Sequence, residues 1–360
     1  MSGLGANVII WPVNAPTHPI GTETPPPSSA SGPQSIVAAE MAQVDLVIRN
    51  RLSSDVVLIG QIAEYIIQSG GKRVRPALLL MISEAISTHL QKTSGLGRLN
   101  PERAAIMAAV VEFIHTATLL HDDVVDESGL RRGRPTANVL FGNAASVLVG
   151  DFLYSRAFQM MVEVGSPEVM AVMAESTNVI SEGEVLQLMN CQDPDVTEER
   201  YLQVIRFKTA KLFEAAAKVP AVLANASPEV IEACAAYGRH LGTAFQLIDD
   251  ALDYTGSEAD IGKRLGDDLR EGKPTLPLIR VMAVGSESER QRIRSAITRP
   301  EEADFDAVLN AIERTDAMRY TLACAQQECQ RAKDALAVLE HSPHRQALLD
   351  LLDFVIDRNR

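Results

Sequence analysis

The chain has 360 residues, of which 46% are hydrophobic and 22% are charged, so its composition supports a sizeable apolar core. Its 34 Lys and Arg residues are outnumbered by 47 Asp and Glu residues, giving a net charge of −13. This acidic balance argues against a general nucleic-acid-binding surface, because such a surface needs a basic patch. A phosphorylated ligand could bind only where metal ions or a few basic side chains reverse the local field.

The cysteines and the N-terminus both favour a cytoplasmic protein. Cys191, Cys234, Cys324 and Cys329 are scattered and form no Cys-x-x-Cys pair, which favours reduced thiols over a disulfide framework or a zinc site. No apolar run approaches the ~18 residues that span a bilayer. The first basic residue is Arg49, so the N-terminus lacks the basic start of a secretory signal and the Arg-rich face of a mitochondrial one.

The chain divides into a tail and one domain. Residues 1–35 are rich in Pro, Ser, Thr and Gly and predict a flexible tail. Residues 36–360 predict a single domain, because apolar positions recur there at helical spacing. The helical segments include 36–50, 56–68, 75–87, 101–121, 144–164, 167–189, 198–217, 228–253 and 276–284. No segment shows convincing strand alternation, so we predict an all-α bundle of ten or more helices around a central cavity.

A basic turn precedes the third predicted helix. Its sequence, Gly-Gly-Lys-Arg-Val-Arg-Pro at 70–76, places Lys72 and Arg75 three residues apart, so both can converge on one anion. Backbone amides at the start of the helix would add positive potential. A pattern of this kind standing alone is more often a solvated basic turn.

The first acidic motif ends a long apolar helix. Asp122 and Asp126 are four residues apart and share one helical face, with Asp123 beside them. Like charges repel at that spacing, and a cation between them would turn the repulsion into a binding site suited to Mg²⁺. His115 lies two turns earlier on the same face, where contact with a phosphate and ordinary core packing are equal alternatives.

Basic residues follow this motif. Arg131 and Arg132 stand on a glycine-bounded loop from which a guanidinium can grip phosphate oxygens. Further on, Lys208 and Thr209 offer a point charge and a hydroxyl within a predicted helix.

The second acidic motif repeats the spacing of the first. Asp249 and Asp253 share a helical face, with Asp250 beside them and Gln246 one turn earlier. One Asp-Asp-x-x-Asp motif is a weak signal, but two copies, each after apolar helical sequence, indicate carboxylates that face each other across a cavity and share Mg²⁺ with a diphosphate. A Gly- and charge-rich loop at 262–274 then predicts a mobile cover that brings Lys263 and Lys273 over the phosphates.

Together these motifs resemble those of the trans-polyprenyl diphosphate synthases, in motif order from residue 70 to residue 273. The resemblance implies the isoprenoid-synthase type of helix bundle. It implies three Mg²⁺ ions per active site, bound by Asp122, Asp126 and Asp249, with Asp123, Asp250 and Asp253 supporting these ligands or binding the metal through water. The allylic diphosphate would be held by Arg131, Lys208, Thr209, Gln246 and Lys263, and isopentenyl diphosphate by Lys72, Arg75, His115 and Arg132.

The resemblance also implies the reaction and its setting. Ionisation of the allylic diphosphate, attack by isopentenyl diphosphate and loss of a proton would lengthen an all-trans chain. Asp122, Asp126, Asp249 and Lys208 would be the catalytic residues. A homodimer is implied, as is transient membrane contact while so long a lipid leaves.

The wall of the product cavity predicts a long product. Counting back from Asp122, the inward-facing residues are Thr118, Ala117, Ile114 and Val111. Synthases of this family that stop early carry bulky aromatics four or five residues before the motif, whereas both residues are small here. We therefore expect about eight to ten isoprene units (C40–C50), as in a quinone side chain, and the resemblance is closest to octaprenyl and decaprenyl diphosphate synthases.

Three other functions share parts of this pattern. A class I terpene cyclase shares the ionisation chemistry but typically has one Asp-rich motif and lacks the Lys72, Arg75 and His115 set. A non-catalytic subunit of a synthase typically loses aspartates, and this chain keeps all six. A helical scaffold that merely binds cations would show no turnover.

Overall fold

The computed structural model describes residues 32–68, 71–95, 98–255 and 266–357. These residues fold almost entirely into helices, which confirms the all-α prediction. In chain order the helices are α1 (Ala38–Arg51), α2 (Val57–Gln68), α3 (Val74–Ser94), α4 (Pro101–Val125), α5 (Ala137–Phe141), α6 (Asn143–Val164), α7 (Pro167–Asn190), α8 (Glu198–Ile205), α9 (Lys211–Leu223), α10 (Pro228–Thr255), α11 (Asp267–Arg270), α12 (Leu276–Val284), α13 (Glu287–Thr298), α14 (Phe305–Arg314), α15 (Ala317–Ala335) and α16 (Pro343–Asp357). Short 3₁₀ turns occur at Pro33–Val37, Pro300–Glu302 and Leu336–Val338.

Helices α4 and α10 form the centre of the bundle and carry the two acidic motifs. Helix α4 packs mainly against α6 and α3, and α10 packs against α9 and α15. Small residues allow these close approaches. A Cβ added at Gly238 of α10 would lie 2.4 Å from the carbonyl oxygen of Phe213, so only glycine fits there. Because both helices are buried along most of their length, their polar ends are held rigidly.

Helix starts agree with the capping signals in the sequence. Asn100 precedes Pro101 and accepts hydrogen bonds from the amides of Glu102 and Arg103. Ser166 accepts one from Val169 N–H, and Ser227 accepts one from Val230 N–H at 3.4 Å. These caps orient the central helices α4, α7 and α10.

Two short features depart from regular α-helix. Residues Leu130–Arg131 (β1) and Arg134–Pro135 (β2) pair as an antiparallel hairpin, which was not predicted because two-residue strands show no periodicity. Residues Arg206–Ala210 form a π-helical turn between α8 and α9, in a segment predicted as regular helix. Such turns occur frequently at functional sites, and this one carries Lys208 and Thr209.

Residues 1–31 of the predicted tail lie outside the described residues. The last part of that segment joins the bundle through the Pro33–Val37 turn, where Val37 is fully buried. Among the described helices, Pro101–Val125 alone has the length and hydropathy of a membrane span, and 61% of its apolar stretch is buried inside the protein, as in a core helix. The separation into tail and domain stays a prediction.

Candidate active site

A cavity of about 180 Å³ lies where the end of α4, the β1–β2 hairpin, the π-helical turn and α10 meet. The first acidic motif contributes Asp122 and Asp126, and the second contributes Asp250. The remaining polar lining includes Arg131, Gln187, Asn190, Tyr201, Lys208, Thr209, Gln246, Asp268, Lys273 and Thr275. The tertiary structure therefore brings the two motifs and most of the predicted allylic-site residues to one place.

In the first motif the three aspartates take different positions. Asp123 is only 4% exposed, and Arg131 donates to its Oδ1 from Nε at 2.8 Å and from Nη2 at 2.6 Å. Burial lowers the pKa of Arg131, but its hydrogen bond to Asp123 and the nearby carboxylates raise it overall. Asp123 therefore anchors the hairpin, while Asp122 and Asp126 line the cavity.

The second motif is held by a hydrogen-bond network. Asp250 is 3% exposed; Tyr201 donates its O–H to Oδ2 at 2.5 Å and Gln246 donates from Nε2 to Oδ1 at 2.7 Å. Asp253 is also buried and accepts the backbone N–H of Asp268 at 3.2 Å. Asp249 is only half-buried, and its charge, like that of Glu112, offsets part of the lowering of the pKa of Arg75 by burial.

Two lysines pair with the carboxylates of the first motif. Lys208 Nζ lies 2.5 Å from Glu184 Oε2 and 3.5 Å from Asp122 Oδ2. Lys273 Nζ lies 2.8 Å from Asp126 Oδ2 and 2.5 Å from Glu271 Oε2. Burial lowers the pKa of each lysine, but the neighbouring carboxylates outweigh burial and raise it. Both ammonium groups are therefore charged, and they neutralise the carboxylates that face the cavity.

The predicted isopentenyl diphosphate residues also converge. Arg75 Nη1 lies 3.0 Å from His115 Nε2. The Arg132 guanidinium lies against Gly71, where an added Cβ would be 2.7 Å from Nη1, so a glycine at this position brings the hairpin to the basic turn that also holds Lys72. Burial lowers the pKa of Arg75 to about 10. Burial, followed by the charges of Arg75 and Arg132, lowers the pKa of His115 well below its usual value, so the imidazole is neutral at physiological pH.

The structure places the four residues of the predicted product wall in two different environments. Thr118 lines a second cavity of about 390 Å³, which begins at Asp122 and lies between α6 and α7 beside Tyr154 and Ile180. The other three wall residues, Ala117, Ile114 and Val111, are fully buried in the packing of α4. Lys263 lies outside the described residues, so its predicted role stays a prediction.

Glu184 and Tyr201 were not predicted from the sequence to be part of the site. Neither belongs to an acidic or basic cluster, and each becomes part of the site only through packing. Gly183 lets α7 approach the π-helical turn, since a Cβ there would lie 2.5 Å from Lys208 N. Burial and then the charge of Asp122 raise the pKa of Glu184 to about 7, despite its ion pair with Lys208.

Stability without metal should fall as pH rises. Burial, and then the charge of Asp268, raises the pKa of Asp250 to about 7, and the pKa of Glu184 is raised to a similar value. The folded protein therefore binds more protons than the unfolded chain between pH ~4 and ~7. With a metal chelator present, we expect the free energy of unfolding, measured by urea denaturation, to decrease as the pH rises across this range. Each of the two groups should contribute a decrease of a few kcal/mol.

The variant Asp250→Asn should flatten this pH dependence and be more stable than wild type at pH 8. Asp306→Asn, at an exposed position of α14, is the matched control and should leave the slope unchanged. An unchanged slope in Asp250→Asn would contradict the raised pKa of Asp250.

The carboxylates suit Mg²⁺ bound together with a substrate. Within the described ranges, no three His, Cys, Asp or Glu side chains are gathered as a ready-made metal site. Mg²⁺ usually binds through one or two carboxylates and completes its octahedron with water and phosphate oxygens. Asp122 and Asp126, one helical turn apart at the cavity, fit that requirement.

Comparison with known proteins gives a consistent result. The polyprenyl synthetase family profile matches residues 56–313. The chain is 49% identical over 326 residues to the octaprenyl diphosphate synthase of Escherichia coli, covering 90% of this chain and 98% of that one. It is 42% identical to the all-trans-nonaprenyl-diphosphate synthase (geranyl-diphosphate specific) of Rhodobacter capsulatus, over 89% and 96% of the two chains. The crystal structure of a polyprenyl synthase from Caulobacter crescentus, complexed with calcium and isoprenyl diphosphate, superposes with a TM-score of 0.85 at 42% identity, covering 92% of this chain and 98% of that one.

Proposed function

This chain belongs to the polyprenyl synthetase family, and from that premise we propose that it is a prenyltransferase that joins isopentenyl diphosphate head to tail to an allylic diphosphate such as farnesyl diphosphate. The product is an all-trans polyprenyl diphosphate of eight to ten isoprene units, the range of its octaprenyl, nonaprenyl and decaprenyl relatives. Such a chain would serve as a quinone side chain. The observation that carries the proposal is the meeting of both acidic motifs with Lys208 and Arg131 around one cavity.

Mg²⁺ bound in this cavity would draw charge from the departing diphosphate. We propose three ions per site, held by Asp122, Asp126 and Asp249. Of the other aspartates, Asp123 and Asp250 are engaged by Arg131 and by Tyr201 with Gln246, so they would position neighbouring groups rather than bind metal directly. Asp253 would support the site through the backbone of Asp268.

The basic side chains would stabilise the leaving group. Lys208, with Arg131 and Lys263, would hold the allylic diphosphate and stabilise the negative charge that develops as its C–O bond ionises. Thr209 and Gln246, which also line the cavity, would orient the same diphosphate. The carboxylates that now pair with Lys208 and Lys273 would pass to the metal, freeing both ammonium groups for phosphate oxygens.

The Arg75, His115 and Arg132 cluster, together with Lys72, would hold isopentenyl diphosphate. Its double bond would attack the allylic cation, and the proton then lost would pass to the released diphosphate. A neutral His115 can donate one hydrogen bond to a phosphate without adding a third buried positive charge beside Arg75 and Arg132. Enclosure of the cavity would keep water away from the cation.

A direct assay tests this function. Purified protein, Mg²⁺, farnesyl diphosphate and isopentenyl diphosphate should yield a polyprenyl diphosphate, identified by mass analysis. Condensation without a second protein would exclude a non-catalytic subunit, and a linear product would exclude a terpene cyclase. No turnover would favour a scaffold.

Product length should respond to the α4 wall. Thr118 lies in the cavity directly below Asp122, so a ring in Thr118→Phe would fill the path of the growing chain. We expect products several isoprene units shorter, seen by chromatography of the radiolabelled alcohols. The same outcome is expected for Ala117→Phe, from its place in the predicted wall. Unchanged product length in both variants would contradict this path.

We also propose a cytoplasmic homodimer that meets membranes transiently to release its product. Helices α6 and α7 expose large apolar side chains that a second copy could cover, namely Leu148, Val162, Val185, Leu188 and Met189. Light scattering of the purified protein would show a monomer if this is wrong, and flotation with vesicles would test membrane contact.

A further inference from the structure

We propose that Tyr201 is a positioning residue of this active site, which holds Asp250 and through it directs Gln246 and Thr209 toward the allylic diphosphate. The inference rests on the function proposed above and adds a residue to it. Tyr201 belongs to neither acidic motif nor to any of the basic clusters. Its role follows from a chain of short hydrogen bonds that joins α8, α10 and the π-helical turn.

The phenol of Tyr201 is part of the cavity lining. The side chain lies in α8, is 5% exposed, and lines the cavity beside Val204 and Ile205. Its O–H donates to Asp250 Oδ2 at 2.5 Å, a length typical of a strong hydrogen bond to a carboxylate. The helix that carries it is itself fixed, since Thr197 caps its first turn by accepting the Arg200 N–H. Tyr201 is therefore a rigid donor whose partner is Asp250.

Asp250 in turn fixes the orientation of the Gln246 amide. With Oδ2 engaged by Tyr201, Oδ1 accepts the Gln246 amide N–H at 2.7 Å. When Asp250 is ionised it can only accept hydrogen bonds, so it holds the nitrogen side of the amide toward itself. The amide oxygen then points the other way and accepts the Thr209 O–H at 3.0 Å. The orientation of two predicted diphosphate-binding side chains is thus set by one tyrosine–carboxylate pair.

The hydrogen bonds described for Tyr201 do not include the residues predicted to bind isopentenyl diphosphate. The predicted isopentenyl diphosphate cluster is held by different contacts, between Arg75 and His115 and between Arg132 and Gly71. A positioning role for Tyr201 therefore predicts a defect confined to the allylic substrate. A merely structural role would lower stability and affect both substrates together.

The test compares two buried tyrosines that each lose one hydroxyl. Tyr201→Phe should lower kcat/KM for farnesyl diphosphate by about 10- to 100-fold, the effect of a lost hydrogen bond to a charged group, with KM for isopentenyl diphosphate changed less than about twofold. Tyr237→Phe is the matched control, because Tyr237 is equally buried but donates to the Leu348 carbonyl. It should leave both kinetic constants unchanged.

A readout independent of turnover is the calorimetric affinity for farnesyl thiolodiphosphate, a non-ionising analogue, which should weaken in Tyr201→Phe and stay constant in Tyr237→Phe. A double-mutant cycle tests the route through Asp250. In an Asp250→Ala background, which removes the acceptor of the Tyr201 O–H, the further change Tyr201→Phe should have a much smaller effect on analogue affinity than it has in wild type.

Additive effects in this cycle would overturn the inference, as would equal defects for both substrates. Wild-type protein that fails to condense the two substrates would refute the proposed function itself. Active wild type with an unaffected Tyr201→Phe variant would refute only the role of Tyr201.

Discussion

Replacement of Asp122 by asparagine is expected to lower kcat for condensation by about 10²- to 10³-fold, the loss typical when one electrostatic stabiliser of a transition state is removed. Asp122 lines both cavities, so its carboxylate stands where the diphosphate and the growing chain would meet. Asparagine keeps the shape and removes the charge on which a cation would depend. The measurement is the initial rate of isopentenyl diphosphate incorporation across a Mg²⁺ titration.

Asp306→Asn removes one exposed carboxylate that does not line the cavity and serves as the control for this variant. It should retain the full rate at every Mg²⁺ concentration. If Asp122→Asn also retained its rate, the carboxylates of the first motif would not be needed for metal or substrate. The central electrostatic premise of the proposed mechanism would then be lost.

The second large effect is expected for Lys208→Met, which should lower kcat/KM for the allylic substrate by about 10²-fold or more. The ammonium of Lys208 contacts Glu184 and lies 3.5 Å from Asp122, so it is placed to follow the diphosphate as negative charge develops on it. Its removal also leaves Glu184 among like charges and without a cation, which should lower the free energy of unfolding.

The double variant Lys208→Met/Glu184→Gln separates these two effects. Neutralising both partners removes the unpaired, partly buried carboxylate, so stability measured by urea denaturation should return toward that of wild type. Activity should stay low, because the cation of Lys208 then no longer faces the departing diphosphate. Recovery of activity together with stability would mean that Lys208 serves only as the counterion of Glu184.

Much of the fold was predictable because it depends on local periodicity. The apolar spacing of 101–121 predicted a helix that the structure extends to Pro101–Val125, and Ser166 and Ser227 cap the helices that follow them in sequence. The π-helical turn at Arg206–Ala210 was not predictable in the same way. Its sequence is compatible with ordinary helix, and the close approach of Gly183 from α7 is a tertiary contact.

The candidate site shows the same division. Lys208 was singled out as a cation, yet its partner Glu184 lies 24 residues earlier on another helix and carries no motif of its own. The aspartates of each motif also make different contacts, and these contacts arise only from the tertiary structure. Arg131 engages Asp123, and Tyr201 with Gln246 engages Asp250, while Asp122, Asp126 and Asp250 all line the cavity.

The sequence by itself determined the class of fold, the presence of two carboxylate clusters and the basic groups that would accompany a diphosphate. These features are encoded in spacing along one helix or one loop, where residues three or four apart necessarily share a face. The tertiary structure alone decided which carboxylates face the cavity, which cation pairs with each, and that Tyr201 stands beneath Asp250. Those outcomes depend on distances between helices far apart in sequence, which close packing sets and local periodicity does not.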